Sequence, residues 1–166
     1  MRLRNLLGIA MATASLGAAA QLTPPDPDWK EADAPPPPAF EVKRLVPFDV
    51  SVGSSLRYGI DPATITLGAD GIVRYVVVAR SATDAVNAMY EGLRCSTAEV
   101  RTYARYNASS GWNAVRDTDW RSLYGNPATR HSLMLARQGG CRDRSIPQSA
   151  QDIVRSLRQQ DFEMLR

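Results

Sequence analysis

The sequence holds few of the residues that build metal centres and catalytic triads. Among its 166 residues there is one histidine, His131, and there are two cysteines, Cys95 and Cys141, which stand alone without a CxxC pair. Structural zinc sites need four such ligands and catalytic zinc sites need three. The chain also lacks the GxSxG, HExxH and P-loop patterns. We therefore expect no metal and no cofactor, and no motif assigns an enzyme class.

Long hydrophobic runs are also missing. The uncharged stretch 6–20 is too short and too rich in small residues for a membrane span, which needs roughly 20 apolar residues. It follows two arginines and ends in three alanines, which is the pattern of a cleavable signal peptide. We expect a cut after Ala20 that leaves a periplasmic protein without a transmembrane anchor. Gln21, the next residue, offers no thiol for a lipid anchor.

An excess of one charge sign is absent from the chain that remains. The whole sequence has 20 basic and 17 acidic residues, and two of the basic residues lie in the signal, so the mature net charge is +1. Nucleic-acid-binding domains carry a much stronger basic patch. The composition therefore predicts no nucleic-acid partner.

The two cysteines are expected to form one disulfide. An even cysteine count in an exported chain is the setting in which cysteines usually pair. Closing a loop between Cys95 and Cys141 stabilises a fold by about 4 kcal/mol in the chain-entropy model. A metal site is the alternative, but one histidine and no CxxC pair disfavour it.

Proline is concentrated at one end of the mature chain. Residues 21–44 form an extended tail with four consecutive prolines, 35–38, which exclude both a helix and a central strand. The tail is either a spacer, which we favour, or a polyproline II ligand for an aromatic groove. Trp29 and Phe40 flank the prolines and are candidates to pin the tail to the single domain predicted over residues 45–166.

About four strands are predicted in the first part of that domain. Residues 64–79 contain two β-branched runs separated by Asp70-Gly71, which predicts a β-hairpin whose second strand is central. Alternating side chains predict further strands at about 87–95 and 99–106. A helix over 83–94 is the competing interpretation, but Gly92 counts against it.

Two helices are predicted after the strands. Asn126 as N-cap, a proline at the first position and Gly139 beyond the end delimit a helix over about 127–138. The pattern Ser149 to Asp152 resembles a capping box and begins the second helix. The order predicts an α+β domain, in which an antiparallel sheet carries both helices on one face and the disulfide ties the sheet to the first helix.

His131 is the one candidate for a general base. In an enzyme it would act on Ser132 or another hydroxyl and be oriented by Asp117 or Asp119. Asp117 and Asp119 are also a candidate carboxylate pair for glycoside chemistry or an oxygen-ligand metal site. The interpretation that we favour is an exposed or partly packed histidine beside a solvated loop.

The best candidate binding surface is the strand face predicted to carry Arg101, Tyr103 and Arg105, with Arg74 nearby across the sheet. Arginine forks backed by an aromatic ring bind anionic groups well. The alternative is an open sheet face whose arginines pair with acids such as Glu91 for solubility.

Several segments together resemble the cryptic neisserial protein-like family, a group of small exported proteins of proteobacteria. They are Tyr75 to Arg80, Met89 to Cys95, Glu99 to Arg105, Trp112, Trp120 and Cys141. The resemblance covers about residues 28–157, and Tyr-Glu-Gly-Leu-Arg-Cys is its most specific run. It implies an envelope location in a Gram-negative bacterium and supplies no activity and no catalytic residues.

Two hypotheses of function follow. The first is a non-enzymatic binding module of the cell envelope, in which Arg101, Tyr103 and Arg105 contact an envelope protein or an anionic envelope ligand. The second is a small periplasmic hydrolase that uses His131 with a nearby carboxylate on an envelope polymer.

Overall fold

The computed structural model describes residues 26–51, 54–116 and 119–164, with side chains described to residue 160. The strands are β1 (Val46–Phe48), β2 (Arg57–Ile60), β3 (Thr66–Leu67), β4 (Ile72–Arg80), β5 (Val86–Arg94), β6 (Glu99–Asn107), β7 (Gly111–Ala114) and β8 (Arg121–Ser122). They form one antiparallel sheet in which β1, β2, β4, β5, β6 and β7 lie side by side. Two short strands lie off this path, since β3 pairs with β4 and β8 pairs with β6.

The prediction of an antiparallel sheet with two helices is confirmed, but the estimate of about four strands is wrong. The predicted hairpin is β3 and β4, and the next two predicted strands are β5 and β6. The helical interpretation of 83–94 is wrong, because β5 pairs along its whole length with β4. The four missed strands, β1, β2, β7 and β8, have two to four residues each. Such short strands leave no alternating pattern to detect.

β4 is the central strand, as predicted. Every residue from Ile72 to Ala79 is buried, so both faces of the sheet are covered at this strand. On one face Val73 and Val77 pack against side chains of the two helices. On the other face Val76 and Val78 pack near Phe40.

The second helix begins at its predicted cap, whereas the predicted cap of the first helix lies one 3₁₀ turn before that helix. The Asn126 side chain accepts a hydrogen bond from the Ala128 amide and starts a 3₁₀ turn that leads into α1 (Arg130–Leu135). A π-helical turn follows α1, and Gly139 at its end has φ 124°, a conformation that favours glycine. Ser149 accepts from the Asp152 amide and precedes α2 (Ala150–Met164). No described helix is long and apolar enough to cross a membrane.

The predicted disulfide is confirmed. Cys95 directly follows β5 and Cys141 follows the π-helical turn, and the two Cα atoms are 5.6 Å apart. The bond therefore ties the end of a central strand to the segment between the two helices, as expected from the sequence.

The face without helices is covered by the N-terminal segment. Residues 26–40, here called the strap, cross this face without forming a strand. At one end Trp29 contacts Trp120, and at the other Phe40 meets Tyr106 and Trp112 edge-on. The two aromatic residues that flank the prolines therefore do pin the segment to the sheet. The strap places an acidic side chain, Glu31, above the sheet.

Candidate functional site

The strap-covered face contains a carboxylate site built around Glu31. Arg101 donates to Glu31 Oε2 over 2.7 Å, and the Tyr103 hydroxyl donates to Glu31 Oε1 over 2.6 Å. The Trp120 indole N–H also donates to Oε2, over 3.2 Å. Hydrogen bonds to an ionised group are roughly twice as strong as neutral ones. Three side chains from β6 and the loop before β8 thus converge on one carboxylate.

Arg74 and Asp70 form the buried base of this site. The Arg74 side chain is 4% exposed, and its Nη2 lies 2.7 Å from Asp70 Oδ2 and 3.8 Å from Glu31 Oε1. Burial raises the pKa of Asp70, but hydrogen bonds from Arg74 and from the Ala32 and Ile72 amides outweigh it and lower the pKa below its ordinary value. Asp70 is therefore ionised at neutral pH, and the pair holds a fixed geometry.

The Arg74 and Asp70 pair also binds the strap backbone. Arg74 Nη2 donates to the Ala32 carbonyl over 3.1 Å, and Asp70 Oδ2 accepts from the Ala32 amide over 3.1 Å. Both polar backbone groups of this strap residue are therefore satisfied by side chains and not by a neighbouring strand.

Trp29 occupies a second subsite beside the carboxylate site. Its indole N–H donates to the Asp70 carbonyl over 2.8 Å, and the Arg94 guanidinium lies 3.5 Å from the ring centroid. Trp120 meets the same ring edge-on at 6.1 Å. The contact with Arg94 is a close cation–π interaction.

Gly92 on β5 leaves the space that the Tyr103 side chain occupies. A Cβ at Gly92 would lie 2.3 Å from the Tyr103 hydroxyl, so any larger residue would displace it. Burial and the hydrogen bond to Glu31 raise the pKa of Tyr103 far above its ordinary value. The hydroxyl therefore keeps its proton and acts as a donor.

A β-bulge on β6 changes the predicted face of one site residue. Glu91 pairs with Thr102 and Tyr90 pairs with Ala104, so Tyr103 is one extra residue without its own partner on β5. A bulge of this kind shifts the alternation of side chains by one position. Residues after Tyr103 therefore point to the face opposite to the one that their spacing predicts.

Arg105 does not belong to the carboxylate site. Its Nη1 lies 3.2 Å from Met89 Sδ, and it lines a cavity of about 70 Å³ with His131 and Thr102 on the helix-covered face. The prediction that Arg101, Tyr103 and Arg105 share a face is wrong for Arg105, because the bulge intervenes. The structure places Arg101 and Tyr103 together, and the Arg74 and Arg101 guanidinium groups lie 5.7 Å and 5.9 Å from the centroid of the Tyr103 ring.

His131 belongs to a buried polar cluster centred on Glu91. His131 is 8% exposed and Glu91 is 2% exposed, and His131 Nε2 lies 3.1 Å from both carboxylate oxygens. Tyr75 and Ser132 each donate to Glu91 Oε2 over 3.1 Å, and Thr102 donates to Oε1 over 3.3 Å. Among the described residues, the carboxylate bonded to the histidine is thus that of Glu91, which lies on β5.

The chemistry of this cluster differs from that of a catalytic triad. Burial alone raises the pKa of Glu91, but the His131 charge and the donated hydrogen bonds outweigh it and lower the pKa. The Ser132 hydroxyl donates to the same carboxylate and not to the imidazole. In a catalytic triad the nucleophile is hydrogen-bonded to the histidine.

Of the two aspartates predicted as a pair, the structure describes one, Asp119. Asp119 lines the same cavity as His131. Asp117 lies outside the described residues. Among the residues that the structure describes, no three histidine, cysteine or acidic side chains group together as metal ligands.

Sequence reasoning missed Glu31 and misassigned Glu91. Glu31 lies in a proline-rich segment that was predicted to be a spacer, and its partner Arg101 is 70 residues away. The one available signal was Trp29, whose position before the prolines predicted an anchor. Glu91 was considered a surface partner of arginines, although its neighbours on β5 are buried.

Comparison with known proteins gives a family and no closer relative. The model of the CNP1-like family matches residues 25–158. No curated protein and no solved structure matches the chain. The match begins just before the strap and therefore includes both the strap and its site.

Proposed function

We propose, for a chain that belongs to the CNP1-like family, that the protein is an exported, non-enzymatic binding module of the cell envelope that recognises a carboxylate. The family membership confirms the resemblance found in the sequence, and the family has no assigned activity that would name the ligand. The ligand would be an envelope protein or another anionic envelope molecule, held at the site that Glu31 occupies.

One observation carries this proposal, namely the set of donors around Glu31. Arg101, Tyr103 and Trp120 all donate to its carboxylate, and Arg74 adds a second cation at 3.8 Å. Arginine, tyrosine and tryptophan are the residues most enriched in strong binding sites. The set satisfies both oxygens of a carboxylate, which a surface arranged only for solubility does not require.

The exported location rests on two features. The Cys95–Cys141 disulfide fits an oxidising compartment, since disulfides are rare in reducing ones. The predicted signal, residues 1–20, lies outside the described residues, so its support comes from the sequence pattern.

The carboxylate site can be tested by chemical rescue. Glu31→Ala removes the carboxylate that fills the site, and propionate supplies a carboxylate on a short alkyl chain in its place. We expect sodium propionate to raise the melting temperature of Glu31→Ala relative to sodium chloride at equal ionic strength, because a ligand that binds only the folded state stabilises it.

Two second-site variants make the rescue specific. Adding Arg101→Gln to Glu31→Ala should abolish the effect of propionate. Adding Arg105→Gln should leave it unchanged, because Arg105 lies on the opposite face. An equal effect of propionate in all three proteins would show that no carboxylate is recognised at Arg101, and the proposal would then be wrong.

A small hydrolase that uses His131 is the second candidate function. It is favoured by the burial of His131 and Ser132 together with Glu91 beside a cavity. It is tested by incubating purified cell-wall polymer with the protein and measuring soluble fragments. Release that is lost in both His131→Asn and Ser132→Ala would favour the hydrolase over the binding module.

A further inference from the structure

We propose that the strap is a built-in ligand, and that the site which it fills binds an extended segment of a partner protein with an aromatic residue two positions before a glutamate. This inference rests on the proposed function and adds to it the class of partner and the means of control. In the free protein the strap covers the site, and a partner segment replaces it.

The first argument is that the site binds a polypeptide backbone as well as a carboxylate. Asp70 accepts from the Ala32 amide and Arg74 donates to the Ala32 carbonyl. Small organic acids and polysaccharide carboxylates have no such pair of groups. Recognition of both groups at one residue is a property of sites for extended peptides.

The second argument is the spacing of the two anchored side chains. Trp29 and Glu31 are two positions apart, and in an extended chain such residues point to the same side. Trp29 enters the subsite formed by Arg94 and Trp120, while Glu31 enters the carboxylate site. Lys30 and Asp33 are exposed. The site therefore specifies an aromatic residue, then any residue at the next position, and then a glutamate.

The third argument is that the strap can leave without breaking the sheet. Within the described part of the chain, residues 26–40 pair with no strand, and prolines 35–38 have no N–H to offer one. Its anchors near Trp29 and Glu31 are side-chain contacts. Phe40, packed against Tyr106 and Trp112, would still hold the other end.

The site is also accessible to a competing segment. A hollow of about 250 Å³ lies beside the strap, lined by Glu31, Asp33, Arg101 and Tyr103 among others. The Arg101 side chain is 34% exposed there. The Glu31 carboxylate therefore borders open space, from which a competing segment can displace the strap.

Attachment to the same chain explains why the strap occupies the site by default. A segment on a short linker has an effective concentration in the millimolar range. A free segment with the same contacts must compete with that concentration. Its apparent affinity is its affinity for the open site multiplied by the fraction of molecules whose site is open. Weakening the strap should therefore increase the affinity for a peptide added in trans.

The experiment uses a fluorescein-labelled peptide with the sequence of residues 26–34 as the probe. It is titrated by fluorescence anisotropy against the mature wild-type chain and against Trp29→Ala/Glu31→Ala. We expect the variant to bind at least about tenfold more tightly than wild type. The control Lys30→Ala changes an exposed strap residue between the two anchors that does not line the hollow, and it should bind as wild type does. If wild type and the opened variant bind equally, the strap does not control the site and the inference is wrong.

Peptide variants test the spacing. Replacing the tryptophan by alanine, or the glutamate by glutamine, should each weaken binding to the opened variant about tenfold or more. If only the tryptophan proves dispensable, the aromatic subsite is refuted while carboxylate recognition stands. If only the glutamate proves dispensable, and propionate also fails to raise the melting temperature of Glu31→Ala, the proposed function is wrong as well.

Two further measurements keep the result interpretable. Glu31→Gln, which is isosteric, serves as a second opened variant, and the melting temperature of each variant shows whether it folds. Light scattering of the wild-type chain distinguishes a partner from a second copy. A concentration-dependent dimer that the peptide dissociates would identify the strap of a second copy as the occupant and would overturn the proposal of a separate partner.

Discussion

Arg101 and Arg105 lie on opposite faces of the same strand although they are four positions apart. In a regular strand an even separation keeps two side chains on one face. The extra residue Tyr103 between the paired positions of β6 reverses this relationship. Arg101 therefore faces the strap, while Arg105 faces α1 and the Glu91 cluster.

The first prediction compares these two arginines. Arg101→Gln removes a charge-assisted hydrogen bond to the largely buried Glu31 and should lower the free energy of unfolding by about 1–2 kcal/mol. Arg105→Gln, matched in chemistry, should change it by less than about 0.5 kcal/mol. Urea unfolding of both variants measures the difference. Equal losses would contradict the assignment of the two residues to different faces.

The second prediction concerns the buried cluster. Glu91→Gln removes the charge that partners His131 and replaces an acceptor-only group that four side chains contact. The expected loss in the free energy of unfolding is about 3 kcal/mol. Glu41→Gln is the control, because Glu41 forms an exposed ion pair with Arg44 that should contribute about 1 kcal/mol or less. A Glu91→Gln variant as stable as Glu41→Gln would show that the cluster is not held by this carboxylate.

The third prediction concerns pH. Folding lowers the pKa of Asp70 and Glu91 below their ordinary values of 3.8 and 4.5. The unfolded chain then binds more protons than the folded one as the pH falls through this range, so protonation favours unfolding. Their contribution is complete above about pH 5 and is lost progressively below about pH 4.

The measurement is the melting temperature from pH 7 to pH 3. It should be nearly constant near neutral pH and should fall at the acidic end. Asp70→Asn should be less stable at pH 7 but should show a shallower fall, since one of the linked carboxyl groups is gone. A profile as steep as that of the wild type would exclude Asp70 as a source of the pH dependence.

The fourth prediction concerns the disulfide. Alkylation of the denatured, unreduced protein should label no thiols, because both cysteines are paired. Cys95→Ala/Cys141→Ala should lose about 2–4 kcal/mol of stability, since the bond closes a separation of 46 residues. Two labelled thiols in the unreduced protein would refute the pairing.

The sequence predicted those parts of the fold that depend on local patterns. The long strands β4, β5 and β6 are mostly apolar or carry alternating side chains over nine residues each. Asn126 caps the 3₁₀ turn before α1 and Ser149 caps α2, each through a residue two or three positions later, and the sequence has only two cysteines to pair. These features are set by residues close in the chain or by composition.

The parts that the sequence did not predict depend on pairing between distant segments. The bulge at Tyr103 is defined by the register with β5, and nothing in the spacing of β6 alone indicates it. The burial of Glu91 depends on α1, which lies 40 residues later. The role of Glu31 depends on side chains of two other elements. The sequence therefore predicted that Arg101 and Tyr103 share a face, but not that both contact Glu31.

The position of the strap has a consequence for the order of folding. Glu31 is synthesised before every group that holds it, and Arg101 and Trp120 follow 70 and 89 residues later. Contacts between such distant positions form late, because closing long loops costs entropy before any contact is gained. We therefore expect the first described segment of the chain to be secured last, after a stage in which the sheet is assembled and its carboxylate site is still vacant.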